Sequence, residues 1–258
     1  LSEDENVLPR TRLDAAFELA SILRSRGRFH DAAAVLEEMS PLLEAEEVRE
    51  AMALSVRGTS LMELEELRSA VRLIDRAVER SPGVPTRYLF ARGLLELRRG
   101  NLIAARTTAD EIEGHALPAD DPDRTENKAA AYLRGSALLA EGDASGAVTE
   151  LTRAVALSGY GYAVYRLELA RAYLAAGRLP EAMAAARQAA EAGDPADPRL
   201  DLELDRVRAV LVLAEVQQAM GRGPKAASHA ERFLTAWAEA DPGLTETDRA
   251  RTIAGGAF

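Results

Sequence analysis

Apolar residues along this chain recur three and four positions apart, as in Leu13, Ala16, Ala20 and Leu23, the spacing of one buried helix face. The pattern stops and restarts at regular places. Six times a small residue is followed twelve positions later by an alanine: Ala20/Ala32, Gly58/Ala70, Gly93/Ala105, Gly135/Ala147, Ala170/Ala182 and Ala214/Ala226. Seven positions past the first member lies a turn residue: Gly27, Gly100, Gly142, Gly177 and Gly221, with Glu65 the one departure. This order predicts two antiparallel helices joined by a short turn, repeated six times. A small side chain on each helix lets the backbones approach where they cross. A turn glycine can take the left-handed conformation that ends the first helix. One such hairpin cannot bury its own apolar face, so neighbouring hairpins are expected to stack.

The small residues that open successive copies stand 38, 35, 42, 35 and 44 positions apart. The longer intervals imply longer helices or loops, and residues 114–127 (GHALPADDPDRTEN) and 193–199 (GDPADPR) read as loops from their Pro, Asp and Gly content. A lengthened helix can begin at Leu200. Residues 244–254 predict a short capping helix with Thr245 and Asp248 at its start.

The second copy carries Leu54, Gly58, Leu61, Ala70, Ile74, Ala77 and Pro82, and the third Leu89, Gly93, Gly100, Leu102, Ala105 and Ile112. The fourth has Gly135, Leu138, Gly142, Ala147, Leu151 and Ala154, and the fifth Leu169, Ala170, Tyr173, Gly177, Ala182 and Ala189. These sets resemble the tetratricopeptide repeat, a helix–turn–helix unit, with looser first and last copies. The resemblance implies an all-α, right-handed solenoid of six repeats at 13–46, 47–82, 86–117, 124–159, 161–193 and 199–240, with a cap at 244–254, in one domain over 1–258.

It also implies that the first helix of each hairpin lines a concave groove. Its expected partner-facing residues are Phe17, Arg24, Met52, Ser55, Met62, Arg87, Phe90, Leu94, Tyr132, Ser136, Leu167, Arg171 and Arg208, with Ser21, Thr59, Leu97, Leu139, Leu174, Leu211 and Glu215 beside them. Aromatic, Met and Arg side chains are the usual anchors of protein interfaces. Packing between repeats competes for the same leucines. One branch of the family grips a chaperone's C-terminal carboxylate with paired Lys and Asn. Phe17, Ser21, Ser55 and Thr59 hold those slots here, so no such grip is expected.

Composition narrows the function. Ala, Leu, Arg and Glu dominate, the hydrophobic share is 47%, and the net charge is −10. That balance builds a helical core and opposes binding to a phosphate backbone, so no nucleic-acid partner is expected. There is no cysteine, hence no disulfide and no thiolate chemistry. No apolar run is long enough to span a bilayer and no leader pattern opens the chain, which lacks an initial Met, so a cytoplasmic location is the default with a processed exported form left open.

Candidate chemistry is thin. His30, His115 and His229 fall on separate repeats or loops and predict no shared metal or catalytic centre. Glu65/Glu66 and Asp120/Asp121/Asp123 read as solvated faces rather than cation sites. Gly159 to Tyr162 breaks the chain between hairpins, and Trp237 is expected to plug the last one. Residues 229–244 also resemble the closing repeat of modules in bacterial signalling proteins. The expected function is a non-enzymatic scaffold that holds a partner peptide or helix in its groove, without cofactor or metal. The alternative is a regulatory or sensing module that binds a small ligand. Self-association is left open in either case.

Overall fold

A computed structural model describes residues 9–43, 46–81, 86–115, 126–157, 163–192 and 202–256. Among these the chain is all-helical and forms a right-handed solenoid. The helices are α1 (Pro9–Ser25), α2 (Phe29–Glu38), α3 (Ser40–Leu43), α4 (Glu47–Glu63), α5 (Leu67–Arg80), α6 (Thr86–Arg98) and α7 (Leu102–Gly114). They continue as α8 (Glu126–Ala140), α9 (Ala144–Ala156), α10 (Ala163–Ala175), α11 (Leu179–Ala190), α12 (Leu202–Ala219), α13 (Gly223–Ala236) and α14 (Thr245–Ala254). Six of the pairs are the expected hairpins: α1/α2, α4/α5, α6/α7, α8/α9, α10/α11 and α12/α13. The short α3 is an addition that periodicity did not reveal.

All six turns are built alike. Gly27, Gly100, Gly142, Gly177 and Gly221 take φ between 69° and 87°, and Glu65 adopts φ 61° in the sixth. The amide after each donates back to the carbonyl five residues earlier, from Arg28 to Leu23 through Arg222 to Gln217, always at 2.9 Å. This closing bond satisfies a carbonyl that the helix end would otherwise leave unpaired. The paired small residues sit at the crossings: nine alanines of the pattern, from Ala20 to Ala226, are fully buried. A Cβ on Gly58 would stand 2.6 Å from Ile74 and 3.3 Å from the backbone of α5, and one on Gly135 2.6 Å from Leu151. The crossing distance therefore has no room for a methyl group.

The solenoid meets itself. Phe29, fully buried at the start of α2, packs in the core of the last hairpin with Leu204, Ala226, Phe233 and Trp237. Its ring lies edge-on to Trp237 at 6.0 Å. Trp237 Nε1 donates to the Ser25 carbonyl at 3.0 Å, and the Asp241 amide donates to the Gly27 carbonyl at 3.0 Å. Helix α2 lacks a capping side chain of its own at Arg28. Asp241 supplies the cap from 212 residues away, accepting from the Phe29 and His30 amides at 2.5 and 3.1 Å. Arg28–Glu239 and His30 between Glu66 and Asp241 flank this seam. Trp237 is thus buried as expected, but it closes a ring instead of merely capping the last hairpin.

Helix α14 lies on α13 and α12, in the position of a seventh first-helix, and buries Ala250 and Ile253. It starts at Thr245 without a side-chain cap, so neither Thr245 nor Asp248 plays the expected capping role. The loop around Asp120 and the Gly159–Tyr162 break lie outside the described residues.

Replacing Asp241 by Ala should remove the remote cap and cost about 1 kcal/mol, read as a lower urea midpoint. Gly58→Ala should cost about 1–3 kcal/mol by overpacking the crossing, despite alanine's better helix propensity. A Gly58→Ala protein as stable as the parent would show that the crossing can open.

Candidate binding cavity

Because the hairpins turn through a ring, their first helices face one central space. That space is a cavity of about 600 Å³ lined from α1, α4, α6, α8, α10, α12 and α14. Of the expected partner-facing residues, Arg24, Met52, Ser55, Met62, Arg87, Phe90, Leu94, Tyr132, Ser136, Leu167, Arg171 and Arg208 all line it, as do Thr59, Leu97 and Leu139. Phe17 does not. It is buried among Leu13, Leu36 and Val56, in the core between the first two hairpins. Of α1, only Arg24 in its last turn reaches the cavity. Leu211 and Leu174 likewise go to the packing between hairpins.

The lining is divided. On α6 and α8, Phe90, Leu94, Leu97, Tyr132 and Leu139 form an apolar wall that Met52 of α4 and Tyr165 of α10 extend. Phe90 meets Tyr132 edge-on at 5.3 Å, and Tyr132 meets Tyr165 at 5.9 Å, so three successive repeats contribute one aromatic cluster. Tyr132 and Tyr165 are buried, while Phe90 and the leucines keep part of their surface open. Burial, helped by the nearby Glu168 carboxylate, holds the Tyr132 phenol protonated well above its ordinary range.

The other side is charged, and it lies next to the seam. Arg208 of α12 binds Glu63 of α4 through both terminal nitrogens, at 2.9 and 2.6 Å, and Glu246 of α14 at 3.1 Å. Arg24 donates to the Ser60 hydroxyl at 2.6 Å, Arg171 pairs with Glu168 at 3.0 Å, and Arg249 with Glu215 at 2.7 Å. Burial by itself would raise the Glu63 pKa, but Arg208, and then Arg98 and Arg24, outweigh it and hold the carboxyl at about 2. Arg208 stays charged for the matching reason: burial works against it, and Glu63 and Glu246 overcome that.

In this lining the Thr245 hydroxyl donates to the Glu246 carboxylate at 3.3 Å. His229 sits with Arg232, and burial followed by that neighbour lowers its pKa. His30 belongs to the seam. Glu65 pairs with Arg98 at 2.7 Å and Glu66 with His30 at 3.3 Å. Among the described residues, no three His, Cys, Asp or Glu side chains are grouped to hold a metal ion.

A family model described as tetratricopeptide repeat matches residues 56–122 and 132–198, and a second of the same description matches 207–232. The chain belongs to the tetratricopeptide repeat family. A thermophilic tetratricopeptide repeat protein from Thermus thermophilus is similar in structure, with TM-score 0.58 and 20% identity over 79% of this chain and 98% of that one. A tetratricopeptide repeat protein from Parabacteroides merdae gives TM-score 0.56 and 15% identity over 97% and 86%. At these identities the likeness shows the fold alone. No curated protein sequence matches the chain. Tetratricopeptide repeats form protein-interaction modules in general, and this chain has their fold. Among the described residues no helix is long and apolar enough to cross a membrane.

Sequence reasoning missed Glu63 and Glu246, which the cavity places on Arg208. A twelve-residue alanine period carries no signal for either.

The Glu63 pKa lies below the ordinary value of 4.5, so its contribution to stability is complete above about pH 4.5 and is lost as pH falls toward 2. Glu63→Gln should abolish that part of the acid dependence, measured as the difference between the two proteins' urea midpoints from pH 5 to pH 2.5. Parallel curves would show that the pair adds nothing.

Proposed function

We propose that this protein is a non-enzymatic interaction scaffold whose central cavity receives a short extended segment of a partner protein. The observation that carries the reading is the half-open apolar wall of Phe90, Leu94, Leu97 and Leu139, set opposite fixed arginines in one cavity. Exposed apolar groups gathered in a concavity cost free energy unless something covers them. The described hairpins act as one unit in this reading, because the seam ties the first to the last.

The cavity's volume favours one second reading, a sensing module for a small amphipathic ligand. Sites for such ligands run from about 300 to 1,000 Å³ and are mostly apolar with a few placed polar groups.

Both readings require the apolar wall. Leu97→Glu with Leu139→Glu places two charges on half-buried positions and should weaken ligand binding at least tenfold, roughly the cost of desolvating a charge against an apolar surface. Binding can be followed with the neutral fluorophore N-phenyl-1-naphthylamine and with linear peptides selected from a random display library. Helicity and melting point should change little. Peptides that bind the doubly substituted protein as well as the parent would remove the cavity from the function.

A further inference from the structure

Arg208 stands where the charged side of the cavity meets the seam, and it serves two carboxylates. Glu63 takes the forked arrangement that suits a guanidinium, using both terminal nitrogens. Glu246 makes one longer bond to it, 3.1 Å, to a nitrogen that Glu63 already uses, and its second oxygen accepts from the Thr245 hydroxyl at 3.3 Å. Glu63 also opposes the charged form of Glu246 by direct repulsion. Of the two, Glu246 is held less firmly.

The neighbouring arginines are differently placed. Arg171 is matched by Glu168, Arg249 by Glu215, and Arg98 by Glu65. An incoming anion at those positions has to break an existing pair. At Arg208 it has only to take the place of the weaker of two. Glu246 sits in the first turn of α14, and α14 is anchored independently through Ala250 and Ile253. Displacing the buried Glu246 side chain would free Arg208 while Ala250 and Ile253 hold the helix in place.

We propose that Glu246 is an internal stand-in for a partner's carboxylate, so that the cavity selects a segment in which one acidic residue adjoins a bulky apolar one. This rests on the cavity being the binding site, as proposed above. The partner's carboxylate replaces Glu246 on Arg208, and the apolar neighbour lands on the wall of Phe90, Leu94 and Leu139. One acidic residue is the expectation, not an acidic run, because a chain of net charge −10 repels a strongly anionic segment at long range.

The test is to pan random linear heptapeptides against the parent and against Glu246→Gln, which keeps the size and an acceptor oxygen but removes the charge. Only peptides displaced by N-phenyl-1-naphthylamine are scored. The parent should enrich peptides with one Asp or Glu adjacent to, or one residue from, Phe, Tyr, Leu or Met. Their Asn or Gln counterparts should bind several-fold weaker. Glu246→Gln should tighten the acidic peptides about tenfold, the lower end of one charge-assisted hydrogen bond, and leave the amide versions within about twofold. Displaceable peptides without an acidic preference, or acidic peptides indifferent to Glu246→Gln, would overturn the stand-in while leaving the cavity reading intact. No displaceable peptide at all would bring down the cavity reading and this inference with it. Should Glu246→Gln lose its fold by circular dichroism, the acid-against-amide comparison on the parent decides alone.

Discussion

The close crossing of two helices at paired small residues sets the geometry from which everything else follows. Where Gly58 faces Ile74, or Gly135 faces Leu151, there is no space for one more methyl group, so helix separation is fixed by contact. The identical left-handed turns fix the angle between the two helices as firmly. Stacked repeats then inherit a curvature that no single contact specifies. In this chain the accumulated rotation brings the sixth hairpin back to the first.

That return changes the energetics of the ends. A solenoid ordinarily leaves its terminal repeats with one unpartnered face, covered by polar caps. Here Phe29 completes the core of the last hairpin and Asp241 completes the start of α2, so each end repairs a defect in the other. The helix start at Arg28–Phe29–His30 has no cap within its own sequence, and a large aromatic at its first position would be exposed in an isolated hairpin. The buried aromatic makes sense only with the seam in place. Closure also converts an open groove into a bounded cavity, which limits what can occupy it.

The parts of this structure that sequence could reveal are those governed by short-range periodicity. The hairpins, their turns and the inward placement of twelve of the thirteen expected partner-facing residues follow from position within a repeat, since a residue's place on a helix face is set by local spacing. Phe17 is the exception: its side chain packs in the core shared with α4. The seam was illegible for a different reason. Its contacts join residues more than 200 positions apart, between segments that share no pattern, and depend on the sum of all the intervening rotations. A Trp that plugs a terminal hairpin and a Trp that closes a ring look the same in sequence.

The division of the cavity follows from the same closure. Helices α6 and α8 are flanked on both sides by ordinary neighbours, so their inner faces can remain apolar without competing with a foreign surface. Helix α12 meets α1 across the seam and reaches α4 through the Arg208 side chain, where apolar faces alone would let the two ends slide against each other. An ion pair with forked geometry fixes register, because its bonds are directional and its buried charges are costly to separate. Glu63 and Arg208 meet that need, 145 residues apart in sequence. The charged side of the cavity is therefore in the first place a device for closing the ring, and any role in recognition is built on a guanidinium that closure had already placed there.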